Sequence, residues 1–396
     1  MMSKWIPSWR YVPINYGQEV GVFENITQKC VFSNNLSGQG LRFRLNNLHS
    51  EKPMRIRHGS AALRNRLTGR LSPWMPLTLE GSEELAVEPD SAVYSDEILY
   101  PVSHEEDVIL SLYFEDRYSV RSVCTTSTWH SWQSVQYTGD FTRTEALGYT
   151  VKPQLVPVLA MDPYPNQFAA GVCEVSVLTD DDVKLIGLFG DSLTHMSYFS
   201  DPLTTVLYAR FPGKCAVING GISGNRIGKS HPVLKGVPGE GRQFGPAGRD
   251  RFQRDLYHGA RPDYVFILEG VNDCSHSIVF QEPDVPGAED IFEALQDVVR
   301  QGRSLGSTVY VSTLPPFGAF GESWRDQAEA LRCAYNDLIR SRYDAGGWID
   351  LDRLMRDPDD PHRMQEGMHL GDGVHPNWTG GAKMARAVAE KFFRTL

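Results

Sequence analysis

The spacing of apolar residues changes near residue 180, and this change constrains the fold more than any other feature of the sequence. Before that point apolar and polar residues alternate, as in Leu41-Arg-Phe43-Arg-Leu45 and again over residues 108–114. Alternation with a period of two is typical of strands with one buried face. Turn-forming clusters such as Pro89-Asp90-Ser91 separate the runs. Many short strands with frequent turns predict an antiparallel β-sandwich over residues 1–180.

From Lys184 onward, almost continuously apolar runs of strand length alternate with stripes of helical spacing. The runs lie at residues 185–189, 216–218, 264–268 and 309–311, and the stripes at 288–299, 324–338 and 385–392. Apolar strands that alternate with helices indicate a parallel sheet covered on both faces. The acidic residues 180–182 are the natural hinge, so the 396 residues are predicted to form two domains, 1–180 and 184–396.

The charge balance restricts the partners that this chain can have. Its net charge is −10 and its pI about 5.6, whereas nucleic acids and anionic membrane surfaces favour basic patches. No stretch approaches the roughly 18 apolar residues of a membrane span, and the first residues contain no apolar signal region. We therefore expect no nucleic acid or membrane partner and a cytoplasmic location, or secretion if a leader has been removed.

The cysteines and histidines give no sign of a metal or cofactor. The six cysteines are scattered without a C-x-x-C pair, which excludes zinc-ribbon and thioredoxin-like motifs. We expect free and mostly buried thiols, with disulfides left open. His362 and His369 lack the spacing of metal ligands, so neither a metal nor a cofactor is predicted.

A serine follows the first apolar run of the second half, in Gly190-Asp191-Ser192-Leu193. The carboxyl end of a parallel strand is where α/β domains bind ligands, and the N–H groups of the next turn can face negative charge. Such a serine is also commonly part of an ordinary helix N-cap. The motif by itself leaves both interpretations open.

Three later segments contain groups that would complement a nucleophilic serine. Asp372-Gly-Val-His375 provides an imidazole as base and a carboxylate within reach to orient it. The segments 219–225 and 269–273 contain Gly224 and Asn272, whose N–H groups suit a developing oxyanion. Taken singly, each segment is better explained as a helix cap or a glycine-rich turn.

Together, and in this order, the four segments resemble those of the SGNH hydrolases, also called GDSL esterases. The resemblance implies a three-layer α/β/α, flavodoxin-like fold for residues 184–396 and ester hydrolysis through an acyl-enzyme. Ser192 would be the nucleophile, His375 its base and Asp372 the group that orients His375. Ser192, Gly224 and Asn272 would form the oxyanion hole, and Asp191 would be structural.

The segment 244–255 and features of the N-terminal half are similar to the two-domain branch of this superfamily, in which a β-sandwich or jelly-roll precedes the hydrolase domain. This branch suggests a carbohydrate O-acetyl esterase whose substrate is an acetylated oligosaccharide. The alternatives are a lipolytic esterase or thioesterase of longer acyl chains, and a glycan-binding protein with an inactive hydrolase domain. The N-terminal domain would bind glycan, complete the cleft, form a homo-oligomer or only support the fold.

Several residues near these segments have ordinary interpretations. His195, three residues after Ser192, is expected to be a partly exposed helix residue that could border the cleft. Trp129 and Trp132 are expected in the sandwich core, because aromatic side chains fill such cores. Cys274 lies two residues after Asn272 and has no evident role.

Overall fold

The computed structural model describes residues 3–145, 167–236, 238–318, 325–344 and 347–394. The chain divides into two units. The first contains residues 1–183, 211–218 and 233–243, and the second contains 184–210, 219–232 and 244–396. The sequence places the change of domain at residues 180–184, and the first unit additionally includes the two short later segments. Within the described ranges, no helix is long and apolar enough to cross a membrane.

The first unit is built almost entirely of strands. In chain order they are β1 (Lys4–Arg10), β2 (Ile14–Asn15), β3 (Gly21–Phe23), β4 (Ile26–Phe32), β5 (Gly40–Asn46), β6 (Met54–Ile56), β7 (His58–Asn65), β8 (Met75–Pro76), β9 (Leu85–Val87), β10 (Ala92–Tyr94), β11 (Glu106–Phe114), β12 (Tyr118–Val120), β13 (Ser122–Thr126), β14 (Trp132–Thr138), β15 (Gln167–Ala169) and β16 (Val172–Thr179).

Two antiparallel sheets form the predicted sandwich, with strand orders β1-β16-β5-β10 and β14-β4-β11-β7-β8. Trp9 of β1 contacts Phe32 of β4 and Trp132 of β14, with ring centroids 4.4 and 5.5 Å apart, and so joins the two sheets. Smaller sheets have the orders β15-β13-β2, β12-β3 and β6-β9. The expectation for Trp132 is therefore confirmed, but that for Trp129 is wrong, because Trp129 is 48% exposed in the turn before β14.

The alternating pattern of the sequence determines which strand face is buried. In β5, Leu41, Phe43 and Leu45 are fully buried in the core. The intervening Arg42 lies on the other face, where its guanidinium carbon sits 3.9 Å from the ring centre of Tyr94. This side-chain alternation is the consequence of strand geometry that the sequence pattern predicts.

From Lys184 onward the chain alternates strands and helices. The strands are β17 (Lys184–Gly190), β18 (Cys215–Gly221), β19 (Tyr264–Leu268), β20 (Thr308–Ser312) and β21 (Trp348–Ile349). The helices are α1 (Ser192–His195), α2 (Ser200–Arg210), α3 (Gly248–Leu256), α4 (Val271–Val279), α5 (Ala288–Ser304), α6 (Arg325–Arg342), α7 (Leu351–Met355) and α8 (Trp378–Phe392), with a 3₁₀ segment at Pro238–Phe244. Each predicted apolar run coincides with a strand, and the stripes lie on α5, α6 and α8, except for position 324, which is outside the described residues.

The five strands form one sheet in the order β18-β17-β19-β20-β21, and β17, β19, β20 and β21 pair in parallel. Successive strand residues point to opposite faces. In β20, Tyr310 contacts Phe392 of α8, whereas Gly302 of α5 approaches Val309. Helices therefore cover both faces, as predicted. The strand order is that of the flavodoxin-like fold.

Candidate active site

The edge of the sheet at which the parallel strands end carries three of the four predicted segments. Strands β17, β18 and β19 end at Gly190, Gly221 and Leu268, and β17 lies between the other two. In this topology the strand order reverses at β17, and such a switch point opens a crevice in which ligands bind. The Ile222 N–H donates to the Gly190 carbonyl at 3.0 Å and so holds the second segment against the first.

Ser192 is the first residue of the short helix α1, which explains why its hydroxyl lies at the end of a strand. Asp191 is the N-cap, and its carboxylate accepts a hydrogen bond from the Leu193 N–H at 3.0 Å. Burial raises the pKa of Asp191 to about 6. The capping interpretation thus fits Asp191, while the neighbouring Ser192 hydroxyl has a different partner.

A hydroxyl, an imidazole and a carboxylate are joined in series at this edge. His375 Nε2 lies 2.8 Å from Ser192 Oγ, and His375 Nδ1 lies 2.6 Å from Asp372 Oδ2. An ionised carboxylate only accepts hydrogen bonds, so Nδ1 carries the proton and Nε2 is left to accept from the serine. The structure therefore brings together Ser192, Asp372 and His375, and the imidazole has the tautomer that a general base requires.

Asp372 is held as an ionised acceptor. Its other oxygen, Oδ1, accepts hydrogen bonds from the backbone N–H groups of Val374 and His375 at 2.9 and 3.0 Å. Burial alone would raise the pKa of Asp372, but the hydrogen bond and charge of His375 and these two N–H groups lower it to about 2. His369 shapes the preceding turn, because its Nδ1 accepts from the N–H groups of Gly371 and Gly373 at 3.1 Å each.

Gly224 and Asn272 lie on the two adjoining segments. Gly224 has a φ of +76°, and a Cβ there would lie 2.0 Å from a ring carbon of Phe244, so only glycine fits. The Asn272 side-chain amide donates one hydrogen bond to the Asn225 carbonyl at 2.9 Å, which fixes its orientation beside the glycine segment. The amide has a second N–H that this bond leaves available.

His195 differs from the expectation of partial exposure. It is only 7% exposed, and its Nδ1 lies 2.7 Å from the hydroxyl of Ser223, the residue before Gly224. The helical turn that begins at Ser192 is thus linked to the glycine segment by a polar contact. The sequence gives no signal for this pairing, because Ser223 is 28 residues away from His195.

A pair of histidines lies beside Gly224, and sequence reasoning missed it. His231 Nε2 lies 3.0 Å from the Gly224 carbonyl oxygen and 3.0 Å from His276 Nδ1. The carbonyl can only accept, so His231 carries its proton on Nε2. Burial lowers the pKa of His231 to about 4 and that of His276 to about 3, so both imidazoles are neutral near pH 7. His231 lies outside the four segments that the sequence singles out.

Among the residues that the structure describes, one group of side chains has atoms close enough to hold a metal ion. Glu329, Cys333 and His362 place one ligand atom each within 4.8 Å of the others. Both oxygens of Glu329 accept hydrogen bonds from the guanidinium of Arg332. This positive charge opposes a cation, and we assign no ion to the group. All six cysteines are free thiols, five of them buried.

An imidazole that connects a serine hydroxyl to a carboxylate is the arrangement of serine hydrolases, and this is the class that the geometry defines. Residues 188–383 match the family model of the GDSL-like lipase/acylhydrolase family. This part of the chain belongs to that family, so the protein contains a carboxylic ester hydrolase domain. The matched range includes all five residues assigned to the site from the sequence.

Several solved structures are similar to part of the chain. An acetyl xylan esterase is 20% identical, covering 54% of this chain and 99% of its own, with a TM-score of 0.37. A variant of an acetyl xylan esterase from Geobacillus stearothermophilus is 17% identical, covering 53% and 96%, with a TM-score of 0.39. A GDSL-like lipase from Bacteroides thetaiotaomicron is 15% identical, covering 54% and 89%, with a TM-score of 0.37. A comparison with curated proteins finds no match.

Proposed function

We propose that this protein is a serine esterase that removes small acyl groups, acetyl above all, from carbohydrates. The observation that carries the proposal is the hydrogen-bonded series of Ser192, His375 and Asp372. In this proposal Ser192 is the nucleophile, His375 the general base and acid, and Asp372 the group that orients the imidazole. The substrate is an acetylated oligosaccharide.

The reaction proceeds through an acyl-enzyme. His375 Nε2 takes the proton of the Ser192 hydroxyl while the serine oxygen attacks the ester carbonyl carbon. The tetrahedral intermediate collapses as His375 gives that proton to the departing alcohol oxygen, which leaves the acyl group on Ser192. Water then attacks the acyl carbon with His375 again as base, and proton return to Ser192 releases the acid.

Three N–H groups stabilise the oxyanion of both tetrahedral intermediates. They are the backbone N–H groups of Ser192 and Gly224 and the side-chain amide of Asn272. Donors of this kind act strongly because they are fixed before the charge develops and need no reorganisation. The hydrogen bond from Asn272 to the Asn225 carbonyl supports this role, since it holds the amide in place before the substrate binds.

Polar neighbours support a small acyl group and a carbohydrate alcohol. The pairs His195–Ser223 and His231–Gly224 place imidazoles beside the nucleophile and the oxyanion glycine, whereas a long acyl chain requires an apolar wall. The net charge of −10 also favours a carbohydrate over nucleic acid as the partner.

The test compares hydrolysis of p-nitrophenyl acetate, butyrate and octanoate by the wild type and Ser192→Ala. Acetate release from acetylated xylan and mannan oligosaccharides is measured in parallel. We expect preference for acetate, release of acetate from the oligosaccharides, and loss of both in Ser192→Ala. Preference for octanoate would replace the proposal by a lipolytic esterase. Absence of serine-dependent turnover on every substrate would favour a glycan-binding protein with an inactive hydrolase domain.

A further inference from the structure

Arg251 lies beneath the candidate active site, and its guanidinium is completely buried. Its Nε donates to Asn225 Oδ1 at 2.8 Å, and its Nη1 donates to the Gly220 carbonyl at 2.7 Å and to Asp255 at 3.1 Å. Its Nη2 donates to the Gly190 carbonyl at 3.0 Å. A guanidinium has five N–H donors in a rigid planar fork, and here they point in several directions at once.

The acceptors belong to different segments of the proposed catalytic apparatus. Gly190 precedes Asp191 and Ser192 and ends the strand of the nucleophile. Gly220 and Asn225 lie on either side of Gly224, whose N–H is assigned to the oxyanion. The same Nη2 lies 3.7 Å from Glu269, at the start of the segment that contains Asn272. One side chain therefore contacts all three segments that supply oxyanion donors.

The contacts also connect the donors to one another. The carbonyl of Asn225, whose side chain Arg251 holds, accepts the hydrogen bond of the Asn272 amide. Phe189, the last apolar residue before Gly190, lies against the guanidinium with its ring centre 4.1 Å from the central carbon. The Phe189 ring thus packs against one face of the guanidinium, and the carbonyls of Gly190 and Gly220 accept hydrogen bonds at its edge.

Two more arginines are fully buried among the described side chains, and they bind different parts of the unit. Arg332 is 1% exposed and binds Glu329, Asp352 and the Leu314 carbonyl, none of which belongs to the three segments. Arg226 is also buried and donates to Glu282, Ser277 and the Ser230 carbonyl. All three side chains are buried and paired with acidic groups. Of the three, only Arg251 contacts all of the segments that contain the proposed oxyanion donors.

We propose that Arg251 is a positioning residue, which sets the distances between the Ser192 oxygen and the N–H donors of Gly224 and Asn272. This inference rests on the proposed esterase function. The rigid fork is essential to it, because lysine is a point charge on a flexible stem and cannot hold several carbonyls at fixed angles. Displacing reacting groups by about 1 Å can reduce a rate on the order of 10²-fold.

The experiment compares Arg251→Lys with Arg332→Lys, a matched change at an equally buried arginine. For p-nitrophenyl acetate, Arg251→Lys is expected to lower kcat on the order of 10–10²-fold while KM changes less than about threefold. Arg332→Lys is expected to lower the melting temperature while keeping kcat within about threefold of the wild type. Rates are normalised to active sites by end-point titration with a fluorophosphonate.

A second readout separates positioning from mere support of the fold. Methylboronic acid forms a tetrahedral adduct with the serine and places an oxygen where the oxyanion forms. Its affinity should fall with kcat in Arg251→Lys and remain unchanged in Arg332→Lys. If Arg251→Lys does not fold, Asn225→Ala removes one of the four hydrogen-bond acceptors and should give a smaller reduction in both kcat and boronate affinity.

The outcomes distinguish this inference from the proposed function. A wild type without serine-dependent turnover would overturn the esterase assignment, and Arg251 would have nothing to position. An active wild type with Arg251→Lys, or Asn225→Ala, at full kcat and full boronate affinity would overturn the role of Arg251 alone. An equal loss of kcat in Arg332→Lys would also overturn it, because the effect would then be general to buried arginines.

Discussion

The two units have cores of different chemistry. In the N-terminal unit aromatic rings join the two sheets, with Trp9 in contact with both Phe32 and Trp132. Its buried charged side chains include Arg10, Lys29, Asp107 and Glu174. In the C-terminal unit the largest fully buried side chains include arginines as well as aromatic residues, and three buried acids lie near the site. These acids are Asp191, Glu269 and Asp273.

The difference shows which unit tolerates destabilising groups. Burying a charge or a polar group is unfavourable unless partners compensate it, so a domain that only needs to fold gains most from apolar packing. The charged groups of the C-terminal unit instead hold strand ends and loop N–H groups, as Asp273 does for Ile227 and Gly228 at 2.9 Å each. We infer that the buried charged groups of the second unit lower its stability, and that they are kept because they hold the active-site loops in place.

The strongest test of this division removes the proposed base, His375, from the C-terminal unit. His375→Gln should lower kcat for p-nitrophenyl acetate on the order of 10⁴-fold or more, because no group then takes the serine proton. The melting temperature should hardly change, since the imidazole is partly exposed. Activity is measured with equal amounts of folded protein, verified by circular dichroism.

His362→Gln is the matched control for that substitution. His362 also pairs with a carboxylate, at 2.9 Å from Glu329, but lies outside the site. It should keep wild-type kcat. Loss of less than tenfold in His375→Gln would show that the chemistry does not depend on the series of Ser192, His375 and Asp372.

The next test concerns Asn272, the side chain that is proposed as an oxyanion donor. Asn272→Ala should lower kcat on the order of 10²–10³-fold, because one preorganised donor to the developing charge is lost. Asn336→Ala is the control, since Asn336 is an equally buried amide that bonds the Leu314 backbone at 2.8 and 3.0 Å. An Asn272→Ala enzyme with normal kcat, in a protein that still requires Ser192, would refute the assigned role of Asn272.

Much of this architecture could be predicted from the sequence. The change in periodicity near residue 180 depends on local strand and helix geometry, and local geometry leaves a regular pattern. The predicted run at residues 264–268 coincides with β19, and the run at 185–189 is one residue short of β17 at either end. The order of the four segments led to Ser192 and His375, and the structure places these side chains 2.8 Å apart.

The remaining contacts could not be predicted, because they join residues that are distant in the chain and have no shared pattern. Arg251 meets Gly190 across 61 positions, and His231 meets His276 across 45. The sequence expectation for Trp129 failed for a related reason. Aromatic residues favour cores on average, but only the register of β14 decides that Trp132 points inward while Trp129 remains in the turn.

The smallest expected effect concerns the pH dependence of stability in the C-terminal unit. Glu269 is fully buried, and among the described residues neither carboxylate oxygen has a hydrogen-bond partner. Burial raises the pKa of Glu269 to about 8, and the guanidinium of Arg251 at 3.7 Å only partly offsets this. The unfolded chain loses this proton near pH 4.5, so the folded state is destabilised as pH rises from there to about 8.

Glu269→Gln should remove that dependence, because glutamine is neutral at every pH. Between pH 6 and 8 the wild type is expected to lose about 2 kcal/mol of unfolding free energy through Glu269, and the variant to lose correspondingly less. Urea unfolding at pH 6, 7 and 8 measures the difference, with Glu84→Gln, at a half-exposed position of the N-terminal unit, as control. Equal pH dependence in Glu269→Gln and the wild type would mean that Glu269 is already ionised and paired with Arg251. The C-terminal core would then be stabilised by a compensated ion pair, and the contrast between the two units would lie in geometry rather than in buried protons.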